Sequence, residues 1–317
     1  MTMAHGVSTQ GCLPVLGMHR SGTSALTLML SHLGVSLPAA ADLGYGSRAN
    51  LSNARGFWEP RLLVMENESI LRRHGGSWRA PPELSPHRLR EVVGPPSWYQ
   101  RLLISYHSPD RPWVWKDPRL CLTLDFWDQV VDSRSVVLMF RHPWAVADSL
   151  ARRDGMSVEQ GYALWEWYVA SSLEISARRA AIVVFNSDLV SNPQVVAGRL
   201  QEWLAHLDVA GGDFESAVRS IDPSLTKEQV PNRVELPAEV AALWDWLRQM
   251  PSQWTTLALP IPAISGSCRK ILEEVRHGET HTPPGRRRVL RSWATELAKK
   301  ALRRESSRQL DRATGVE

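Results

Sequence analysis

Val15-Leu-Gly-Met-His-Arg-Ser-Gly-Thr-Ser24 decides the fold. The apolar lead-in Leu13 to Leu16 has the character of a buried strand end, and Gly17 and Gly22 bracket a tight loop. From Ala25 to Leu33 the apolar residues Leu26, Met29, Leu30 and Leu33 recur on one helical face. Strand, glycine loop and helix form the geometry that cradles an anion. Loop amides point inward, and the helix N-terminus adds partial positive charge. A nucleotide triphosphatase loop reads G-x-x-x-x-G-K-[ST], with Lys on the β/γ-phosphates. Here the frame is Gly17-x-x-x-x-Gly22-Thr23-Ser24. Thr23 takes the Lys place and the cation lies inside the loop, as Arg20. A site so built is poorly suited to a γ-phosphate and better suited to a 5′-phosphate carrying another transferable group.

A second segment, residues 134–152, repeats the strand-to-helix pattern. Val136 to Phe140 is a continuous apolar run, as a central parallel strand requires. Pro143 suits the first turn of a following helix. Arg141 stands at the strand end and Ser149 lies eight residues on, about two helical turns into that helix. In a third segment, Trp113-Val-Trp-Lys-Asp-Pro-Arg119, Lys116 and Asp117 come at the carboxyl end of a short strand. Open parallel sheets gather their active sites there.

Together these segments resemble the sulfotransferases that use 3′-phosphoadenosine 5′-phosphosulfate (PAPS). Their phosphosulfate loop, P-[KR]-[SC]-G-[TN]-[TS], is matched by His19-Arg20-Ser21-Gly22-Thr23-Ser24, with His19 where Pro is usual. The Arg form is similar to the tyrosylprotein and carbohydrate branches; with no N-terminal anchor of the kind eukaryotic Golgi relatives carry, the chain is expected to be bacterial in style. The resemblance covers roughly residues 12–205. It implies that Gly17, His19, Arg20, Ser21, Gly22, Thr23 and Ser24 hold the phosphosulfate and that Arg141 and Ser149 hold the 3′-phosphate. Lys116 would face the transferring sulfonyl group, the alternative being a buried structural pair of Lys116 with Asp117. Glu59, in Asn53-Ala-Arg-Gly-Phe-Trp-Glu-Pro60, would be the base, the alternative being a helix-terminal Glu beside Arg61. The stretch leading to Glu59 is longer than in the family, with Gly44, Tyr45 and Gly46 in a loop. His107 and His142 are weaker candidates for the base. The expected acceptor is a hydroxyl compound, with carbohydrate favoured. No metal is required.

The expected fold class is α/β: a P-loop-like three-layer sandwich with a central, mostly parallel sheet flanked by helices. Strands are expected near 13–16, 113–115, 136–140 and 181–185. Helices are expected at 61–73, 144–153, 157–179, 194–207 and 237–249. After the last strand, the family's Tyr-Glu of a Tyr-Glu-Asp-Leu turn is replaced by Asn186 and Ser187, so that turn receives no ligand role and Asp188 is expected to order it. Fourteen Trp are present. Trp58, Trp78, Trp98, Trp113 and Trp115 fall between the first and third motifs, in a stretch whose prolines suggest an irregular lid. These rings either face a planar or sugar-like acceptor or pack the core. Trp165, Trp167 and Tyr168 are expected on a buried helix face.

Three widely spaced cysteines exclude a disulfide framework and a Cys-rich zinc site. The sequence has no apolar run long enough to span a bilayer and no signal-type h-region, so cytoplasmic residence is expected. Residues 1–282 are expected to form the catalytic domain and 283–317 a tail. That tail opens on Pro283-Pro-Gly-Arg-Arg-Arg288, and Leu290, Trp293, Leu297 and Ala301 then follow with helical spacing among Lys and Arg. It is either a flexible solvated segment or a basic amphipathic helix docking on a partner or on the inner membrane surface. Nucleic-acid binding is not expected, because no recognition motif appears. Two other readings stay open: a P-loop kinase or nucleotide phosphotransferase, and a non-catalytic scaffold of the same fold.

Overall fold

The computed structural model describes residues 11–38, 58–108, 112–222, 230–231 and 234–278. Most residues of its strands are apolar, and their alternation explains the layering. In β1 (Cys12–Leu16), Leu13 and Val15 enter one apolar cluster while Cys12 and Leu16 enter another. In β3 (Ser135–Phe140), Val137 and Met139 join the first cluster, and Val136, Leu138 and Phe140 join the second. A sheet with both faces buried reads as an unbroken hydrophobic run, which is why its strands are visible in the sequence.

The sheet order is β2-β1-β3-β4-β5. The strands β2 (Trp113–Lys116), β1, β3 and β4 (Ala180–Phe185) run parallel, in registers such as Leu13↔Val114, Val15↔Val137 and Val137↔Ile182. The short β5 (Gln253–Trp254) closes one edge antiparallel to β4. One face is covered by α1 (Thr23–His32), α9 (Pro193–Ala205) and α10 (Phe214–Arg219) through Leu26, Met29, Leu30, Val196, Leu200 and Ala217. The other cluster draws on α2 (Arg61–Arg73), α3 (Pro86–Val93), α4 (Trp98–His107), α5 (Leu120–Trp127), α6 (Pro143–Asp154), α7 (Val158–Ser176), α11 (Ala238–Gln249) and α12 (Gly266–Gly278). The protein is therefore a three-layer α/β sandwich of P-loop-like order.

Several expectations need correction. Between the first and third motifs, much of the described stretch is helical rather than irregular, in α2, α3 and α4. Pro86 and two serines mark helix starts there: Ser85 accepts from the Arg88 amide with Pro86 in the first turn of α3, and Gln100 Oε1 accepts from the Ser97 amide at the start of α4. Trp113 and Trp115 do not face a ligand. They stack on each other in the core at 5.6 Å, and Trp127 packs edge-on to Trp115 at 5.4 Å. Trp98 points to solvent instead, at 69% exposure. The polar turn after β4 is a short helix, α8 (Asn186–Ser191), in which Ser187 Oγ donates to Asp188.

Trp165, Trp167 and Tyr168 do lie buried on α7. Among the described residues no helix is long and apolar enough to cross a membrane. The segment carrying Gly44, Tyr45 and Gly46, the residue 282/283 boundary and the amphipathic stretch from Leu290 lie outside the described residues.

Candidate active site

The glycine loop leaves the carboxyl end of β1 and enters α1 at Thr23. Gly17 passes so close to the central strand that a Cβ there would sit 2.6 Å from the Met139 carbonyl oxygen and 3.0 Å from Thr23 Cγ2. Its amide donates to Cys121 Sγ at 3.2 Å. The Ser21 amide turns back to the Met18 carbonyl at 3.1 Å. Arg20 (φ 70°) and Gly22 (φ 93°) both occupy the left-handed region, which a non-glycine residue such as Arg20 rarely adopts. Strain of this kind persists only where surrounding structure enforces it. Thr23 is buried, its methyl against Gly17, so it does not reach outward as a P-loop Lys would. Gly17→Ala should destabilise the fold by about 1–3 kcal/mol, because a strand backbone cannot yield cheaply to the added methyl. Urea denaturation with an unchanged midpoint would contradict that packing.

The loop meets the second sequence motif directly. Arg141 leaves the end of β3, and Pro143 opens α6 with Ser149 two turns in. Arg141 Nη1 donates to the Arg20 carbonyl at 2.8 Å, and Arg20 Nε donates to Ser149 Oγ at 2.8 Å. Trp165 Nε1 holds the Arg141 carbonyl at 3.0 Å. Burial, and after it the like charges of Arg153 and Arg141, bring the Arg20 guanidinium down to about 10. Crowded, partly desolvated cations of this kind gain from an incoming anion.

Beside Arg141 lies a cavity of about 350 Å³, lined by Phe140, Arg141, His142, Asn186, Ser187 and Trp244, among others. Asn186, for which no ligand role is expected, presses its amide nitrogen against Gly22 and keeps its buried Oδ1 without a hydrogen-bond partner. No sequence signal distinguishes it, because its contact with Gly22 depends on the order of the strands. A smaller apolar cavity of about 50 Å³, between Cys12, Val35 and Leu207, opens at the opposite end of the strands.

At the end of β2, Lys116 Nζ donates to Glu59 Oε1 at 2.5 Å, and both side chains are buried. Burial raises the Glu59 carboxyl above the usual glutamate range. Lys116 opposes that rise, Asp117 adds to it and Arg119 opposes it. Glu59 stands just ahead of the first turn of α2, and it forms an ion pair with Lys116. Asp117 is held by Asn67 Nδ2 at 2.9 Å and by the Arg119 amide and Nη1 at 3.0 and 3.1 Å, while Glu59 pairs with Lys116. His107 is wholly buried with Nδ1 on the Leu103 carbonyl, and His142 packs edge-on to Trp244.

His19 lies between the two halves of the site. Its ring packs against Trp78 at 4.4 Å and Tyr168 at 5.9 Å, and its shielded Nε2 has no hydrogen-bond partner. Burial first, then Arg119, Arg153, Lys116 and Arg20, push its pKa well below the ordinary histidine value. The unfolded chain therefore takes up a proton below about pH 6.5 that the folded protein refuses. Stability from this group is complete above that pH and is lost as pH falls. Melting temperatures at pH 7.5 and 5.5 should drop further for the wild type than for His19→Gln. An equal drop would show that His19 titrates normally.

No family model and no curated protein matches the chain. Solved structures similar to it include three sulfotransferases. The sulfotransferase domain from the Synechococcus PCC 7002 olefin synthase is 21% identical over 84% of this chain and 94% of that one, with a TM-score of 0.38. The sulfotransferase domain from the curacin biosynthetic pathway is 19% identical over 84% and 97%, with a TM-score of 0.35. The sulfotransferase STF9 from Mycobacterium avium is 15% identical over 88% and 79%, with a TM-score of 0.37. Likeness of this extent says nothing of what the chain binds, which rests on the side chains above.

Proposed function

We propose that the protein is a sulfotransferase that moves the sulfonyl group of PAPS to a hydroxyl acceptor. The observation that carries this reading is the convergence of Arg20, Ser149 and Arg141 on one glycine loop, beside a buried Lys116–Glu59 pair at the carboxyl ends of parallel strands. The loop from Gly17 to Ser24 would take the 5′-phosphosulfate, with its amides and Arg20 as donors. Arg141 and Ser149 would take the 3′-phosphate. The 350 Å³ cavity, walled by Phe140 and Trp244, offers aromatic surface beside Arg141.

In the transfer, the acceptor oxygen bonds to sulfur and the bond from sulfur to the 5′-phosphate oxygen breaks. Glu59 receives the hydroxyl proton, and Lys116 neutralises charge on the departing oxygen. A carbohydrate acceptor is our preferred class. With Trp113 and Trp115 in the core, its aromatic support narrows to Trp58, beside Glu59, and Trp78, against His19. A γ-phosphate transfer is disfavoured by the inward-packed Thr23. Incubation with ³⁵S-labelled PAPS and a panel of hydroxylated glycans, lipids and peptides tests the reading. Label should appear in at least one glycan and disappear with Glu59→Gln. Label in none of the panel, with PAPS intact, would contradict it.

A further inference from the structure

We propose that Asn67 is a positioning residue that holds Glu59 in register with Lys116 by bolting α2 to the corner between β2 and α5. The roles of the two held residues rest on the sulfonyl-transfer reading; the bolt itself does not.

Glu59 precedes α2 by one residue, so its place depends on how that helix is seated. Asn67 lies two turns further along α2 and is wholly buried. Its amide is used from both ends. Nδ2 donates to Asp117 Oδ2 at 2.9 Å, and Oδ1 accepts from Thr123 Oγ1 at 2.9 Å and Trp127 Nε1 at 2.7 Å. Asp117 is the residue after Lys116, and Thr123 and Trp127 lie on α5. One side chain thus ties the helix bearing Glu59 to the strand end bearing Lys116.

The residue type fits the task closely. Aspartate would supply acceptors only and would set a second carboxylate against Asp117. Leucine would strand the Trp127 donor in the core. The neighbouring ties of α2 differ. Glu68 reaches Arg119 at 3.0 Å from a partly exposed position, and Glu66 turns away to Tyr99 and Gln100 of α4 at 2.6 and 2.7 Å.

Leverage makes the bolt matter. Seven residues of helix separate Asn67 from Pro60, a span of about 10 Å, so a tilt of about 5° moves Glu59 by about 1 Å. The 2.5 Å contact with Lys116 would not survive that shift as a hydrogen bond. The charged groups acting on Glu59 are Lys116 and Arg119, which favour its ionised form, and Asp117, which opposes it. Weakening the Lys116 contact therefore raises the titration midpoint of Glu59.

Carbon-13 NMR of protein labelled at glutamate side-chain carboxyls tests this without needing activity, with Glu59→Gln assigning the resonance. In Asn67→Ala the Glu59 midpoint should rise by about one pH unit. kcat should fall about tenfold while the Kd for adenosine 3′,5′-bisphosphate stays within twofold, since Arg20, Arg141 and Ser149 lie on other elements. Glu66→Gln, which loosens α2 from α4 only, should lower the melting temperature and leave the Glu59 midpoint in place. If Asn67→Ala does not fold, Trp127→Phe removes one donor to Asn67 and keeps a ring, and it should move the midpoint in the same direction by less. A midpoint unmoved in the folded variant, or moved equally by Glu66→Gln, would overturn the proposal. A shifted midpoint in a protein that transfers no sulfonyl group would uphold the bolt and reject the assigned reaction.

Discussion

Replacing Lys116 by alanine should lower kcat for sulfonyl transfer by about two to three orders of magnitude, the usual loss when one preorganised donor to a developing negative charge is removed. The Kd for adenosine 3′,5′-bisphosphate should change no more than a few-fold. Lys116 stands at the end of β2, 2.5 Å from Glu59, whereas the residues proposed to hold the phosphates lie on the loop after β1 and on the β3–α6 corner. A group acting mainly in the transition state lowers kcat and kcat/KM together. The substitution also removes the cation that counters burial at Glu59, so the acidic limb of the pH–rate profile should move to higher pH. Single-turnover rates with labelled PAPS, beside calorimetric binding, separate the two quantities. Preserved turnover in a protein that merely melts earlier would make the Lys116–Glu59 pair a structural one.

The second large effect is expected at Arg141. Arg141→Ala should weaken adenosine 3′,5′-bisphosphate binding by about 10- to 100-fold, the worth of a charge-assisted hydrogen bond at roughly 1.5–3 kcal/mol. Adenosine 5′-phosphate should lose less. It will lose something, because Arg141 also anchors the carbonyl of Arg20, whose left-handed backbone shapes the loop. Ser149→Ala gives a milder version, since Ser149 touches Arg20 Nε. Equal losses for both nucleotides, measured by calorimetry, would remove the 3′-phosphate assignment from Arg141 and leave it a loop brace.

The sheet was legible in the sequence because both of its faces are covered. β1, β3 and β4 appear as apolar runs ending at polar or glycine residues, and their observed limits lie within one residue of the expected ones. The helices α2, α6, α7, α9 and α11 carried enough periodicity or proline signal to place. α5 did not. All eight of its residues are buried, so it has no polar face to give it a period. In α3 and α4 the surrounding prolines suggested irregular chain, while the capping residues Ser85 and Ser97 were the better signal.

The site was legible as separate motifs but not as a set of contacts. Nothing in the spacing of the chain reveals that Arg20 meets Ser149, that Lys116 meets Glu59, or that Asn186 lies against Gly22. These pairings come from the tertiary fold, in which strand order brings β2, β1, β3 and β4 side by side. Asn67 was invisible for the same reason: a polar residue within a helix reads as solvated until the corner it packs against is known.

The central claim is that this loop and strand corner bind a nucleoside 3′,5′-bisphosphate and not a triphosphate. Isothermal titration of the full chain with adenosine 3′,5′-bisphosphate, adenosine 5′-phosphate and ATP with Mg²⁺ tests it most directly. The account predicts that the 3′,5′-bisphosphate binds at least about tenfold tighter than the 5′-monophosphate, with no need for magnesium, and is not displaced by ATP. Preferred binding of ATP with Mg²⁺, or equal affinity for the two adenosine phosphates, would contradict it.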